Sequence, residues 1–158
     1  GNTYHTSIGQ FGFQISSLEL VRAVSALANG GELVTPHLTL DSSGSKVYPK
    51  EKIEGIKPEH MQIVREGMRQ CVINPVHGTC KVLAVPGVSV AAKSGTAELG
   101  VTKQQVNSWI SGFFPYENPK YAFVIMMERA NVKNPYGATF VMKGTLNYMV
   151  ANTPEYIK

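Results

Sequence analysis

Two apolar runs, 107–114 and 121–128, are separated by Pro115-Tyr116-Glu117-Asn118-Pro119, and this punctuation constrains the chain more than any other feature. The segment between the runs is turn chemistry, so they should fold back on each other as an antiparallel hairpin. A third run, 88–97, opens with the alternation Val88-Ser89-Val90-Ala91-Ala92 that marks a half-buried strand. Three strands this close in sequence predict one antiparallel sheet.

Helical signals surround it. Ser16 followed by Glu19 makes a capping box, and Leu18, Val21, Val24 and Leu27 recur at helical spacing, so the sequence predicts a helix over 16–29. Gly30-Gly31 stops it by offering left-handed conformations without steric cost. A second helix starts near Pro58, carries Met61, Val64, Met68 and Cys71 on one face, and ends before Asn74-Pro75. A last helix covers about 138–150, with Phe140, Met142, Leu146, Met149 and Val150 as core candidates. Residues 33–40 and 46–48 flank Asp41-Ser42-Ser43-Gly44-Ser45 and suggest a small hairpin. Helix, helix, three antiparallel strands, helix is an α+β order, and 158 residues suit one domain with one core.

Charge and cysteine usage exclude several functions. A net charge of +4 is spread without any run of five like charges, which leaves nucleic-acid binding without support. The longest apolar run, 121–127, is far too short to cross a bilayer, and no signal peptide opens the chain, so it is expected to be soluble as it stands. None of His5, His37, His60 or His77 completes a zinc spacing with Cys71 or Cys80, so neither a metal nor a cofactor is expected. The two cysteines are able to form one bridge in an oxidising compartment, although buried free thiols are the commoner fate and the favoured reading.

The chemistry is concentrated in Lys93-Ser94-Gly95-Thr96-Ala97-Glu98, on or beside the first strand. A strand edge with a cation, hydroxyls and a side-chain-free glycine suits an extended peptide ending in a carboxylate. Glycine permits close backbone approach, and strand addition supplies hydrogen bonds. This box resembles the Lys-Thr/Ser-Gly box of penicillin-binding proteins and serine β-lactamases. Other stretches match in order: Ser7-Ile8-Gly9-Gln10, Val34-Thr35-Pro36-His37-Leu38, His77-Gly78-Thr79, Asn107-Ser108-Trp109-Ile110-Ser111-Gly112-Phe113-Phe114-Pro115 and Pro119-Lys120-Tyr121-Ala122-Phe123-Val124. The likeness covers nearly all the chain and resembles class B penicillin-binding proteins of the elongation or spore-associated kind.

That resemblance implies a β-lactamase/transpeptidase-like fold and serine acyl transfer on D-Ala-D-Ala stem peptides, with β-lactams acylating the same serine. It gives Lys93 positive charge for the substrate carboxylate and for proton traffic. Ser94 would donate to that carboxylate, Gly95 would keep the strand approachable, and Thr96 would offer a backbone oxyanion donor and its side chain. Trp109 reads as core, His77 as a turn residue, and Glu98 as a cap or the partner of a nearby lysine. Ser7 to Gln10 suit either a cleft floor or the entry to a helix.

Two of the family's motifs do not fit. The one Ser-x-x-Lys, Ser43-Gly44-Ser45-Lys46, falls in the expected hairpin loop and in the wrong order, and no Ser-x-Asn occurs in the chain. Residues 1–158 therefore read as a single partial domain, the C-terminal half of a transpeptidase domain, inactive alone. Its three strands would leave an open edge, which implies a rearranged monomer, a homodimer through that edge, or pairing with the N-terminal half of the same domain. The parent would sit at the extracytoplasmic face of a bacterial membrane. A serine β-lactamase or β-lactam sensor, and a non-catalytic binding or assembly module, are the competing readings.

Overall fold

The computed structural model describes residues 2–9, 12, 14–39, 48 and 50–157. In chain order its elements are α1 (Asn2–Ser7), α2 (Ser17–Ala28), β1 (Glu32–Leu33), β2 (Glu51–Lys52), α3 (Pro58–Ile73), β3 (Ala91–Leu99), β4 (Gln105–Phe114), β5 (Tyr121–Asn131) and α4 (Ala138–Asn152). Strands β3, β4 and β5 form an antiparallel sheet in that order, with Ala91 opposite Phe113, Ser94 opposite Ile110, and Ile110 opposite Ile125. The architecture is α+β, as the sequence predicts.

Period-two alternation sorts the strand side chains onto two faces. Ala92, Ile110 and Phe114 join Leu83, Met142 and Leu146 in one core, under α4. Ala91 and Phe113 join Val24, Ala28 and Met68 in a second, under α2 and α3. Both faces of the sheet are thus covered by helices, which is why its strands are apolar on both sides near their centres.

Helix α2 begins as the capping box requires. Ser16 Oγ accepts from the Glu19 N–H at 3.2 Å, and Glu19 Oε2 accepts from the Ser16 N–H at 2.7 Å. Pro58 opens α3 at its first turn, where a missing N–H costs nothing. Its buried stripe is Met61, Met68 and Val72; Val64 is exposed instead, at the margin facing an open groove. In α4 the buried stripe is Ala138, Met142 and Leu146 at fourfold spacing, whereas Phe140 is exposed and packs edge-on against Tyr136. No side chain on Gly137 caps α4; Ser108 Oγ, reaching from β4, accepts the Ala138 N–H at 3.0 Å.

Glu32–Leu33 pairs with Glu51–Lys52, while the turn and most of the second arm of the hairpin expected from 33–40 and 46–48 lie outside the described residues. Pro36 has no N–H for a ladder, and His37 stacks on Tyr48 at 3.9 Å instead. The loop holding Ser43-Gly44-Ser45-Lys46 lies outside the described residues. Cys71 and Cys80 are bonded, with Cα atoms 5.1 Å apart, and are not free thiols. Helix α3 carries Cys71 to the point where the returning chain places Cys80 in the core.

A polar clamp joins α3 to the β4–β5 turn. Tyr116 donates its phenol O–H to Glu66 at 2.8 Å, while Arg65 reaches both the Ala28 and Tyr116 carbonyls. Hydrogen bonds from Gln70 and Tyr116 hold the Glu66 carboxyl below its ordinary value. Burial, then the bond to Glu66, pushes the Tyr116 phenol up. A depressed carboxylate contributes stability above its unfolded value and loses it as pH falls through its folded value. A raised phenol contributes below its unfolded value and loses it as pH rises through its folded value. Tyr116→Phe is therefore expected to lower Tm slightly at neutral pH, with the deficit shrinking below about pH 4. Thermal unfolding at two pH values checks this; equal deficits would assign the effect to ring packing.

Candidate functional site

Lys93, Ser94, Gly95 and Thr96 occupy the middle of β3, and among the described residues β4 is the only strand that pairs with it. Alternate residues of an edge strand present their N–H and C=O groups outward, so β3 offers an approaching peptide a half-made ladder. Alternation puts Lys93 and Gly95 on the α2 side with Ala91, and Ser94 and Thr96 on the α4 side with Ala92. The tetrad thus lies within the strand that the sequence predicts over 88–97.

Two concavities lie side by side along the α2 face, with Leu20 on the wall of both. A cleft of about 840 Å³ runs along Gly95, Thr96, Ala97 and Trp109 and is closed opposite by Ile8, Ile15 and Leu20. Gly95 adds no side chain to its floor, and a Cβ there would make an ordinary contact with Trp109 Cβ at 3.4 Å. Trp109 is half-buried in this wall, not in the core, since its cross-strand partner is glycine and leaves the indole uncovered. Of the segment Ser7 to Gln10, Ile8 and Gly9 line the cleft, while Ser7 donates within α1 to the Tyr4 carbonyl at 2.8 Å. A second groove, about 520 Å³ and mostly apolar, lies between α2 and α3 with Leu20, Leu27, Val64 and Met68 on its walls and Lys93 and Ser111 at the sheet. Lys93 is exposed there, and its Nζ donates to the Ser94 carbonyl at 2.5 Å.

On the far side of the edge, the turn after α3 brings up a residue that sequence reasoning gave no role. Thr79 Oγ1 lies 2.8 Å from Ser94 Oγ and 3.2 Å from Cys71 Sγ. The turn is shaped locally. Asn74 Oδ1 accepts the N–H groups of Val76 and His77, Gly78 donates to the Asn74 carbonyl, and Cys80 donates to the Cys71 carbonyl at 2.8 Å. The Asn74-Pro75 dipeptide and the bracketing cysteines were the available signals. Their meaning depended on a disulfide that spacing alone leaves open. His77 is exposed on this turn, and Glu98 pairs with Lys103 at 2.8 Å, both as turn and pairing roles require. Among the described residues no cluster of His, Cys, Asp or Glu could hold a metal ion.

Comparison with known proteins gives one family. A profile described as penicillin binding protein transpeptidase domain matches residues 1–143. The Haemophilus influenzae peptidoglycan D,D-transpeptidase MrdA is 27% identical across 100% of this chain and 27% of its own length. A probable peptidoglycan D,D-transpeptidase, PenA of Neisseria flavescens, is 31% identical over 88% of this chain and 36% of its own. Among solved structures, Pseudomonas aeruginosa PBP2 superposes with a TM-score of 0.77 and 28% identity, covering 98% of this chain and 35% of that one. The chain thus spans roughly a quarter to a third of the length of the curated relatives it matches.

Gly78 is the steric key to the turn. A Cβ there would sit 2.6 Å from both the Asn74 and Cys71 carbonyl oxygens. Gly78→Ala is expected to cost about 1–3 kcal/mol, since neither backbone group is able to yield without breaking a bond. Denaturant unfolding measures it, and an unchanged midpoint would refute the argument.

Proposed function

The chain belongs to the penicillin-binding protein transpeptidase family, and on that premise we propose that it supplies the C-terminal half of a class B peptidoglycan D,D-transpeptidase domain. An elongation-type protein or a spore-associated relative is the intended subgroup. The observation that carries the reading is Lys93-Ser94-Gly95-Thr96 on strand β3, with a cleft along Gly95 and Thr96, in a chain whose family match is continuous.

The proposed reaction is acyl transfer. A serine supplied by the other half attacks the D-Ala-D-Ala amide of a stem peptide. D-alanine leaves with the proton taken from that serine, and an amine on a neighbouring stem then takes the acyl group. Lys93, in the groove beside the cleft, gives the strand a cation that favours the terminal carboxylate and aids proton transfer. Ser94 and the Thr96 hydroxyl hydrogen-bond the carboxylate, Gly95 admits the substrate backbone, and the Thr96 N–H is one oxyanion donor. A donor of that kind contributes on the order of 3 kcal/mol at the transition state. β-Lactams enter the same cleft and remain as slowly hydrolysed acyl-enzymes. No metal or cofactor takes part.

The partner we assign is the N-terminal half of the same domain. Strand β5 has a neighbour on one side only, and the apolar groove between α2 and α3 needs an apolar cover. A homodimer through β5 is the competing occupant of the same edge. The site would face the extracytoplasmic side of a bacterial membrane, where a disulfide persists. Among the described residues no helix is long and apolar enough to span a membrane.

Mixing this chain with a fluorescent penicillin is expected to give no covalent adduct by intact mass, whereas adding a separately produced N-terminal half restores labelling on that half. Lys93→Ala should then slow labelling by roughly ten- to a hundredfold, the weight of a charge-assisted hydrogen bond. An adduct on this chain alone would overturn the half-domain assignment. Rapid turnover of the drug would favour a β-lactamase.

A further inference from the structure

We propose that Thr79 is a positioning residue for Ser94, and that the Cys71–Cys80 disulfide holds it there, so that ligand capture at the β3 edge depends on the oxidised state of that bond. The inference rests on the reading of Ser94 as a donor to a ligand carboxylate.

The argument is one of hydrogens. A serine hydroxyl has one hydrogen to give and two lone pairs to receive. If Ser94 donates to Thr79, across their 2.8 Å contact, nothing is left for an anion in the cleft. If Thr79 donates to Ser94, the Ser94 hydrogen is free to point outward, and the chain of two hydroxyls polarises it toward the ligand. Relative acceptor strength favours the second arrangement. Cys71 Sγ is 3.2 Å from Thr79 Oγ1, and a disulfide sulfur carries no hydrogen, so it cannot donate to Thr79. Sulfur is also a weak acceptor, which leaves Ser94 Oγ as the better destination for the Thr79 proton.

The same bond fixes the geometry. Thr79 is exposed, but its neighbour Cys80 is fully buried and tied to Cys71 both through sulfur and through its N–H to the Cys71 carbonyl. One covalent link thus anchors an exposed hydroxyl to the end of α3. Reduction by a dithiol transfers two electrons and two protons, giving two protein thiols and an oxidised reductant. It would release the turn that carries Thr79 from the end of α3.

The test uses the full-length enzyme in which this half-domain is proposed to sit. The acylation rate with fluorescent penicillin and Tm are measured for Thr79→Val, Thr79→Ser and Cys71→Ala/Cys80→Ala, and for the triple variant that adds Thr79→Val to the cysteine pair. Expected results are a roughly tenfold slower acylation for Thr79→Val without a matching fall in Tm, and recovery in Thr79→Ser. In the disulfide-free background acylation should already be slow, and Thr79→Val should cost less than about a further twofold. If the cysteine variant does not fold, the same comparison is made on folded protein before and after dithiothreitol. An unchanged rate in Thr79→Val overturns the positioning role. Fully additive losses overturn the coupling to the disulfide. A wild-type enzyme that takes no label overturns the transpeptidase reading and this inference with it.

Discussion

Ala91 and Ala92 are both fully buried, one in each of the two cores that flank the sheet, and this double burial fixes the register of β3 against β4. Gly112, opposite Ala92, makes the fit possible, since a Cβ at that position would lie 2.2 Å from the Ala91 carbonyl oxygen. The strands approach too closely there for any side chain. A slip of one residue would exchange the faces of every residue that follows. Lys93 would turn toward Ile110 and the α4 core, and Ser94 would lose Thr79. The tetrad's chemistry is therefore set two residues upstream of it, by packing that touches no ligand.

An open strand edge is ordinarily a hazard, because unpaired backbone groups and apolar side chains invite a second chain. The two edges of this sheet answer that hazard differently. Along β3 the outward residues are a cation, hydroxyls, a glycine and an acid paired to Lys103, which discourages promiscuous pairing yet suits a peptide that brings its own carboxylate. Along β5 the residues from Ala122 to Met127 are half-buried and apolar, with no charge among them to repel a neighbour. One edge has the composition of a ligand site and the other that of an internal seam.

Much of this was legible in the sequence because it rests on local signals. The Ser16/Glu19 box, Pro58 and the Pro115–Pro119 punctuation each act within a few residues, and α2, α3 and the β4–β5 hairpin follow them closely. What could not be read was decided by tertiary contact. Val64 and Phe140 satisfy helical periodicity yet remain exposed, because the groove beside Val64 is open and the α4 stripe is filled by Ala138, Met142 and Leu146. Trp109 looked like core and became a cleft wall because its cross-strand partner is Gly95, fourteen residues away along the chain. Helix α1 carries no periodic signal over its six residues and was not foreseen. Thr79 was visible only as part of a matching tripeptide; its proximity to Ser94 needs both the Asn74 turn and a disulfide, two long steps from sequence.

The elements that shape the β3 wall all lie within this chain: the double alanine burial, the Asn74 turn and the Cys71–Cys80 bond. Each fixes backbone or hydroxyl positions before any partner arrives, so the conformational cost of ordering the wall falls on folding and not on ligand binding. Lys93 is the exception. Its ammonium rests on the neighbouring carbonyl at the mouth of an apolar groove, with two of its three donors available. A partner helix that filled the groove would exclude water from that ammonium and strengthen its interaction with any nearby anion or nucleophile. In the proposed domain the shape of the β3 wall is thus set by this half, whereas the environment of Lys93 would change with whatever fills the groove beside it.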